Sequence, residues 1–188
     1  NPPEMAASGW DLPLPVANRM GHFDWVTPSQ AQWSDYMMMK HNADGSNKKV
    51  EQPDDIRNVE KLIATEWQNE YPKCVGLVSS FTAKVPHCFY KMPLDGDPAA
   101  SRAWPSLRTW SLATAVMTTE KILKRTEAEI DELITGFVGN GAATEFVAYR
   151  TMVDLPDPAR ILDGIDVFKH DPTRLDRTMA VLSSCAAL

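Results

Sequence analysis

From Asp55 to Phe137 the apolar residues recur at three- and four-residue spacing, and this helical period constrains the fold more than any other feature. Ile56, Val59, Ile63 and Trp67 share a face, with Leu62 and Glu66 beside it. "YPKCVGLVSSFTAKVP" predicts a second helix, with Val75, Val78 and Phe81 on its apolar side and Pro72 near its start. Pro86 and Pro93 bracket a loop. "PSLRTWSLATAVMTTEKIL" predicts a third helix, with Ser106 at the N-cap and Leu112, Val116 and Leu123 as the core stripe. Thr126 and Glu129 form a T-x-x-E capping box ahead of Ile130, Leu133, Ile134 and Phe137. Gly139 and Gly141 are expected to break that helix, and "AATEFVAYRTMV" to start another that "DLPDP" stops. Weaker amphipathic segments lie near 158–165 and 173–187.

The N-terminal part reads differently. Residues 1–15 are rich in Pro, Gly and Ser and predict a loop. In "VANRMGHFDWVTP" the first half suits a short helical turn; Met20 to Val26 suits a strand ended by Pro28. Pro28-Ser29 then opens a helix over 30–41, followed by the polar loop "NADGSNKKVEQPDD". The expectation is mainly α: five to seven helices after one strand at most, with a boundary near Thr27 to Ser29. The core should include Ile56, Ile63, Leu112, Val116, Ile130 and Phe137. A lone strand is unstable without sheet neighbours, so residues 1–27 should pack poorly.

The chain has 188 residues, of which 44% are hydrophobic, enough for one good core. A net charge of −6 argues against a whole-chain nucleic-acid footprint. No apolar run approaches the ~20 residues of a membrane span. Cys74, Cys88 and Cys185 are odd in number and widely spaced, which shows neither a disulfide framework nor a zinc pattern, and a reducing, cytoplasmic setting is expected. His22, His41, His87 and His170 are scattered, and no metal site is expected from them. His87-Cys88 could be imagined as a nucleophile pair, but adjacent side chains usually diverge, and a core cysteine is the simpler reading. "GFVGNG" lacks the Lys-Ser/Thr of a P-loop and follows a helix, so it reads as a helix–helix turn with Gly at the C-terminal cap. No G-x-S-x-G frames a serine.

Two arginines remain. Arg108 stands two residues after Ser106, where a helix start presents free N–H groups and partial positive charge; it is either a phosphate ligand or an ordinary surface or paired arginine. Arg19, between a proline-rich loop and the expected strand, is either presented to a partner or merely solvated.

Taken together, Asn1-Pro2, Leu14-Pro15, Arg19, "HFDW" and, far downstream, "AWPSLRTW" and "GNGAATEFVAYRTMVDLPDP" resemble, in order and spacing, the second half of a MoxR-type AAA+ ATPase. The resemblance covers most of residues 1–165. It implies that Asn1 occupies the sensor 1 position and orients the attacking water. It implies that Arg19 is an arginine finger offered to the neighbouring subunit's ATP, and that Arg108 is the sensor 2 arginine contacting phosphate in its own subunit. Residues 1–28 would be the end of the α/β nucleotide-binding core; residues 29–188 would be the helical lid and C-terminal helices. No G-x-x-x-x-G-K-[ST] and no Walker B strand are present, so ATP and Mg²⁺ would be held mostly by residues upstream of Asn1. The chain would then be a partial reading frame or a truncated piece, unable to hydrolyse ATP alone. The family further implies a homo-oligomeric ring, a hexamer, in the cytoplasm, chaperone-like remodelling of a client, often with a von Willebrand A domain partner, and no nucleic-acid or membrane partner. The contrasting expectation is a stand-alone, non-enzymatic helical interaction module.

Overall fold

The computed structural model describes residues 12–24, 26–39, 56–94, 97–153 and 155–186. Asn1, His41 and the polar loop before Ile56 lie outside the described residues, as does the Ile56 side chain. The described elements are α1 (Leu14–Ala17), α2 (Gln30–Met39), α3 (Ile56–Lys84), 3-10 turns at Pro86–Cys88 and Pro98–Ser101, α4 (Leu107–Ile122), α5 (Glu127–Val138), α6 (Asn140–Met152), α7 (Pro158–Leu162) and α8 (Leu175–Ala186). The fold is a helical bundle in which α3 packs against α4 and α8, and α5 bridges α4 and α6. No helix among the described residues is long and apolar enough to cross a membrane.

The two helices expected on either side of Pro72 are one helix of 29 residues with Pro72 inside it. An interior proline forfeits a backbone hydrogen bond and costs about 3 kcal/mol. The apolar stripe nevertheless stays in register across it. Trp67 and Tyr71 stack with ring centroids 4.9 Å apart just before the proline, and Cys74, Leu77, Val78 and Phe81 are buried just after it. Burying those side chains at roughly 1.5–3 kcal/mol each outweighs the break.

Phe81 is the centre of the core, with the rings of Trp110, Phe146 and Tyr149 at 5.5, 5.3 and 5.6 Å. Ile130 is buried as expected, and Phe137 packs against the core from a half-buried position. Ile63, Leu112 and Val116 are half-buried; the buried face of α4 is instead Thr109, Trp110, Ala113, Thr114, Met117, Thr118 and Ile122. Threonines can face the core because their hydroxyls donate one turn back: Thr114 to the Trp110 carbonyl at 2.7 Å and Thr118 to the Thr114 carbonyl at 2.8 Å. Trp110 joins them by donating its indole N–H to the Cys88 carbonyl at 2.8 Å. Between α5 and α6, Arg150 reaches Glu127 at 2.8 Å and Asp131 at 2.6 Å.

The strand expected over Met20 to Val26 is not present among the described residues of that segment. Its backbone finds a helix end instead of a sheet. His22 N–H donates to the Gly136 carbonyl at 2.7 Å, one of the last-turn carbonyls of α5 that lack an intrahelical partner. Phe23 lies edge-on to Phe137, with centroids 6.2 Å apart, in the space that a side chain at Gly136 would fill. Ala17 and Asn18 are buried. Residues 12–24 are therefore a strap docked through Ala17, Asn18, His22 and Phe23, which corrects the strand, while Leu12, Met20 and part of Phe23 stay exposed.

Candidate functional site

The site is built where that strap meets the start of α4. Ser106 is extended (φ −149°, ψ 169°), so its hydroxyl turns back over the first turn and accepts from Thr109 N–H at 3.2 Å. Thr109 Oγ1 in turn accepts from Ser106 N–H at 2.8 Å, closing a capping box with threonine where glutamate is usual. Ser106 Oγ donates to Asn18 Oδ1 at 2.9 Å across 88 residues of sequence. Asn18, Ser106 and Thr109 are all buried. Among the described residues, Asn18 Nδ2 and Trp104 Nε1 are buried donors without a hydrogen-bond partner, a state that costs about 1–3 kcal/mol each.

Arg108, expected as a phosphate ligand, is the second residue of α4; it is exposed and bonds no other described side chain or backbone group. Arg19, expected as a finger, follows Asn18 directly. It is exposed and donates to the Pro15 carbonyl at 2.8 Å, which folds the guanidinium over α1. The Asn18–Ser106 bond thus brings together the strap that carries Arg19 and the helix start that carries Arg108. Asn1 lies outside the described residues. A helix start with a permanent cation suits an anion, whereas the Asn18 and Trp104 donors are buried and Thr109 N–H is already bonded to Ser106 Oγ.

A second cluster adds Glu145 to the His87-Cys88 pair, whose side chains were expected to diverge. His87 Nε2 lies 2.9 Å from Glu145 Oε1, and the Cys88 thiol joins them, with donor atoms of all three residues within 4.8 Å of one another. Adjacent side chains diverge on a strand or α-helix, but the 3-10 turn Pro86–Cys88 lets Glu145, from α6, sit against both. His87 and Glu145 are exposed and Cys88 is buried. Burial, with the Glu145 carboxylate beside it, pushes the Cys88 thiol up to about 11, while the hydrogen bond from His87 holds the Glu145 carboxyl below its ordinary value. No sequence spacing joins residues 87 and 145, so only the fold brings them together.

"GFVGNG" is the helix–helix turn that its composition suggests. Gly139 (φ 80°, ψ 156°) ends α5 and starts α6, while Gly141 lies within α6 rather than breaking a helix. No known protein family, curated protein or solved structure matches the chain.

Proposed function

We propose that the chain is the sensor-and-lid portion of a MoxR-type AAA+ ATPase, coupling ATP binding and hydrolysis to chaperone-like remodelling of other proteins. The observation that carries this reading is the buried Asn18–Ser106 bond, which ties an exposed arginine on the strap to an exposed arginine at the start of α4. Two motifs 88 residues apart are held in one neighbourhood, as a nucleotide-responsive lid requires. Arg108, exposed on a helix start, is suited to the phosphates of its own subunit. Arg19 is one solvent-exposed rotamer change away from pointing outward, which suits a finger for the neighbouring subunit. When bound, Mg²⁺·ATP supplies the phosphoryl group and neutralises its charge; the P-loop and Walker B residues that hold it belong outside these 188 residues. Asn1 would orient the attacking water. The assembly would be a hexameric ring in the cytoplasm, acting on a client or a von Willebrand A domain partner.

The upstream reading frame tests this directly. A Walker A loop and then a Walker B strand in frame before Asn1 is the expected result; a start codon next to Asn1 overturns it. That second outcome would favour a stand-alone interaction module. One observation already leans that way: α2 shares no extensive interface with the other described helices and exposes Trp33, Tyr36, Met37 and Met38.

A further inference from the structure

We propose that His87, Cys88 and Glu145 form a binding site for a divalent metal of the zinc class, with three protein ligands and a fourth position open to solvent. An imidazole, a thiol and a carboxylate converge with donor atoms no more than 4.8 Å apart. Tetrahedral zinc, with bonds of roughly 2.0–2.3 Å, needs its ligand atoms about 3.5 Å from one another. To admit an ion the His87–Glu145 contact, 2.9 Å as a hydrogen bond, has to open by about half an ångström, and donor atoms as far as 4.8 Å apart have to close by about 1 Å.

The scaffold holds the donors before any ion arrives. Pro86 restricts the turn, the Trp110 indole N–H fixes the Cys88 carbonyl at 2.8 Å, and Glu145 stands on a continuous helix. The exposure of His87 and Glu145 supplies an entry path and room for a water ligand. On binding, the Cys88 S–H bond breaks and its proton leaves to solvent as the sulfur–metal bond forms. The His87 proton moves from Nε2 to Nδ1. One thiolate and one carboxylate then offset the charge of a 2+ ion. The thiolate disfavours magnesium and calcium, which take oxygen ligands, and the mixed S, N, O set suits zinc. The bound ion would clip the turn after α3 to α6, elements joined otherwise through the aromatic core.

Cobalt(II) is the spectroscopic probe, added under reducing conditions to the full chain. The expected result is one site per chain with a thiolate-to-cobalt charge-transfer band that zinc displaces. Cys88→Ser should abolish the band, and Cys185→Ser should retain it. His87→Ala and Glu145→Gln remove exposed side chains, so both should fold with the helical content of wild type and bind at least ~10-fold more weakly, as loss of a ligand should cost no less than loss of a supporting contact. Zinc at about 100 times its Kd should raise the Tm by about 5–10 °C in wild type and not in Cys88→Ser. Absence of the band, a band that survives Cys88→Ser, or unchanged affinity in both His87→Ala and Glu145→Gln overturns the site.

Discussion

Gly139 and Gly141 look alike in the sequence, as paired breakers two residues apart, yet the backbone asks opposite things of them. Gly139 has φ +80° and ψ 156°, a region that side-chain-bearing residues essentially avoid, and a Cβ there would lie 2.6 Å from the Ala103 carbonyl oxygen. Gly139→Ala should therefore destabilise the chain by about 2 kcal/mol or more, because neither the backbone angle nor the carbonyl can give way cheaply. Gly141 lies in the first turn of α6 with nothing within 4 Å of an added Cβ. Gly141→Ala should be neutral or stabilise by up to about 1 kcal/mol through helix propensity and a less free unfolded chain. Urea midpoints of the two variants measure the contrast; equal shifts would show that the turn is not held as described. Composition marked both glycines as a turn, but only the backbone angle separates the one that is required from the one that is tolerated.

At the scale of elements, the features legible in the sequence were those that act over three or four residues. The N-caps of α4 and α5 are Ser106 and Thr126, both as expected, because capping is a local hydrogen bond. The Thr126 box makes a titration prediction. Glu129 accepts from Thr126 N–H and Oγ1, both at 2.8 Å, and the backbone bond first, then the hydroxyl, lowers its carboxyl from the ordinary 4.5. A folded value below the unfolded one means that the stabilisation is fully present above 4.5 and is lost as pH falls through the folded value. The difference in urea midpoint between wild type and Glu129→Ala should be largest well above that pH and shrink well below it. What the local pattern could not reveal was helix against helix. Pro72 inside α3 and the strap on α5 each follow from distant partners that compensate a local cost, and the threonines of α4 face the core because neighbouring helices cover them while their hydroxyls bond one turn back. Gly76 is the sharpest case: a Cβ there would meet Ser184 Oγ at 1.8 Å and the Ala180 carbonyl at 2.7 Å, so its missing side chain is what lets α8 lie close on α3. Gly76→Ala should lift α8, cost about 1–3 kcal/mol, and speed amide exchange in α8 while leaving α4–α6 protected. Adding Ser184→Ala should restore only part of the loss, since the Ala180 carbonyl cannot move aside without its helix.

For the whole molecule, the sequence sets Arg19 and Arg108 apart only through a resemblance, and it does not reveal the bond that joins their elements, because Asn18 and Ser106 carry no mutual signal across 88 residues. The same holds for His87 and Glu145, 58 residues apart. The proposed division of labour, Arg108 for its own subunit and Arg19 for its neighbour, has a consequence that only an assembly can display. In the full-length ring that the proposal requires, Arg19→Ala alone should slow hydrolysis by ~10³-fold or more, the usual loss for an arginine finger, while leaving the subunit's own ATP binding nearly intact. Arg108→Ala should disable only the site of the subunit that carries it. Mixing Arg19→Ala subunits with subunits lacking the Walker lysine should then recover some hydrolysis, since some interfaces pair an intact P-loop with an intact finger. Mixing Arg19→Ala with Arg108→Ala should recover some for the same reason. Mixing Arg108→Ala with the Walker-lysine variant should recover none, because both defects fall on the subunit's own nucleotide and no pairing repairs either. Turnover of the three mixtures, measured once subunit exchange has been demonstrated, reads the assignment directly. Silence in both Arg19→Ala mixtures removes Arg19 from the trans role, and recovery in the third removes Arg108 from the cis role.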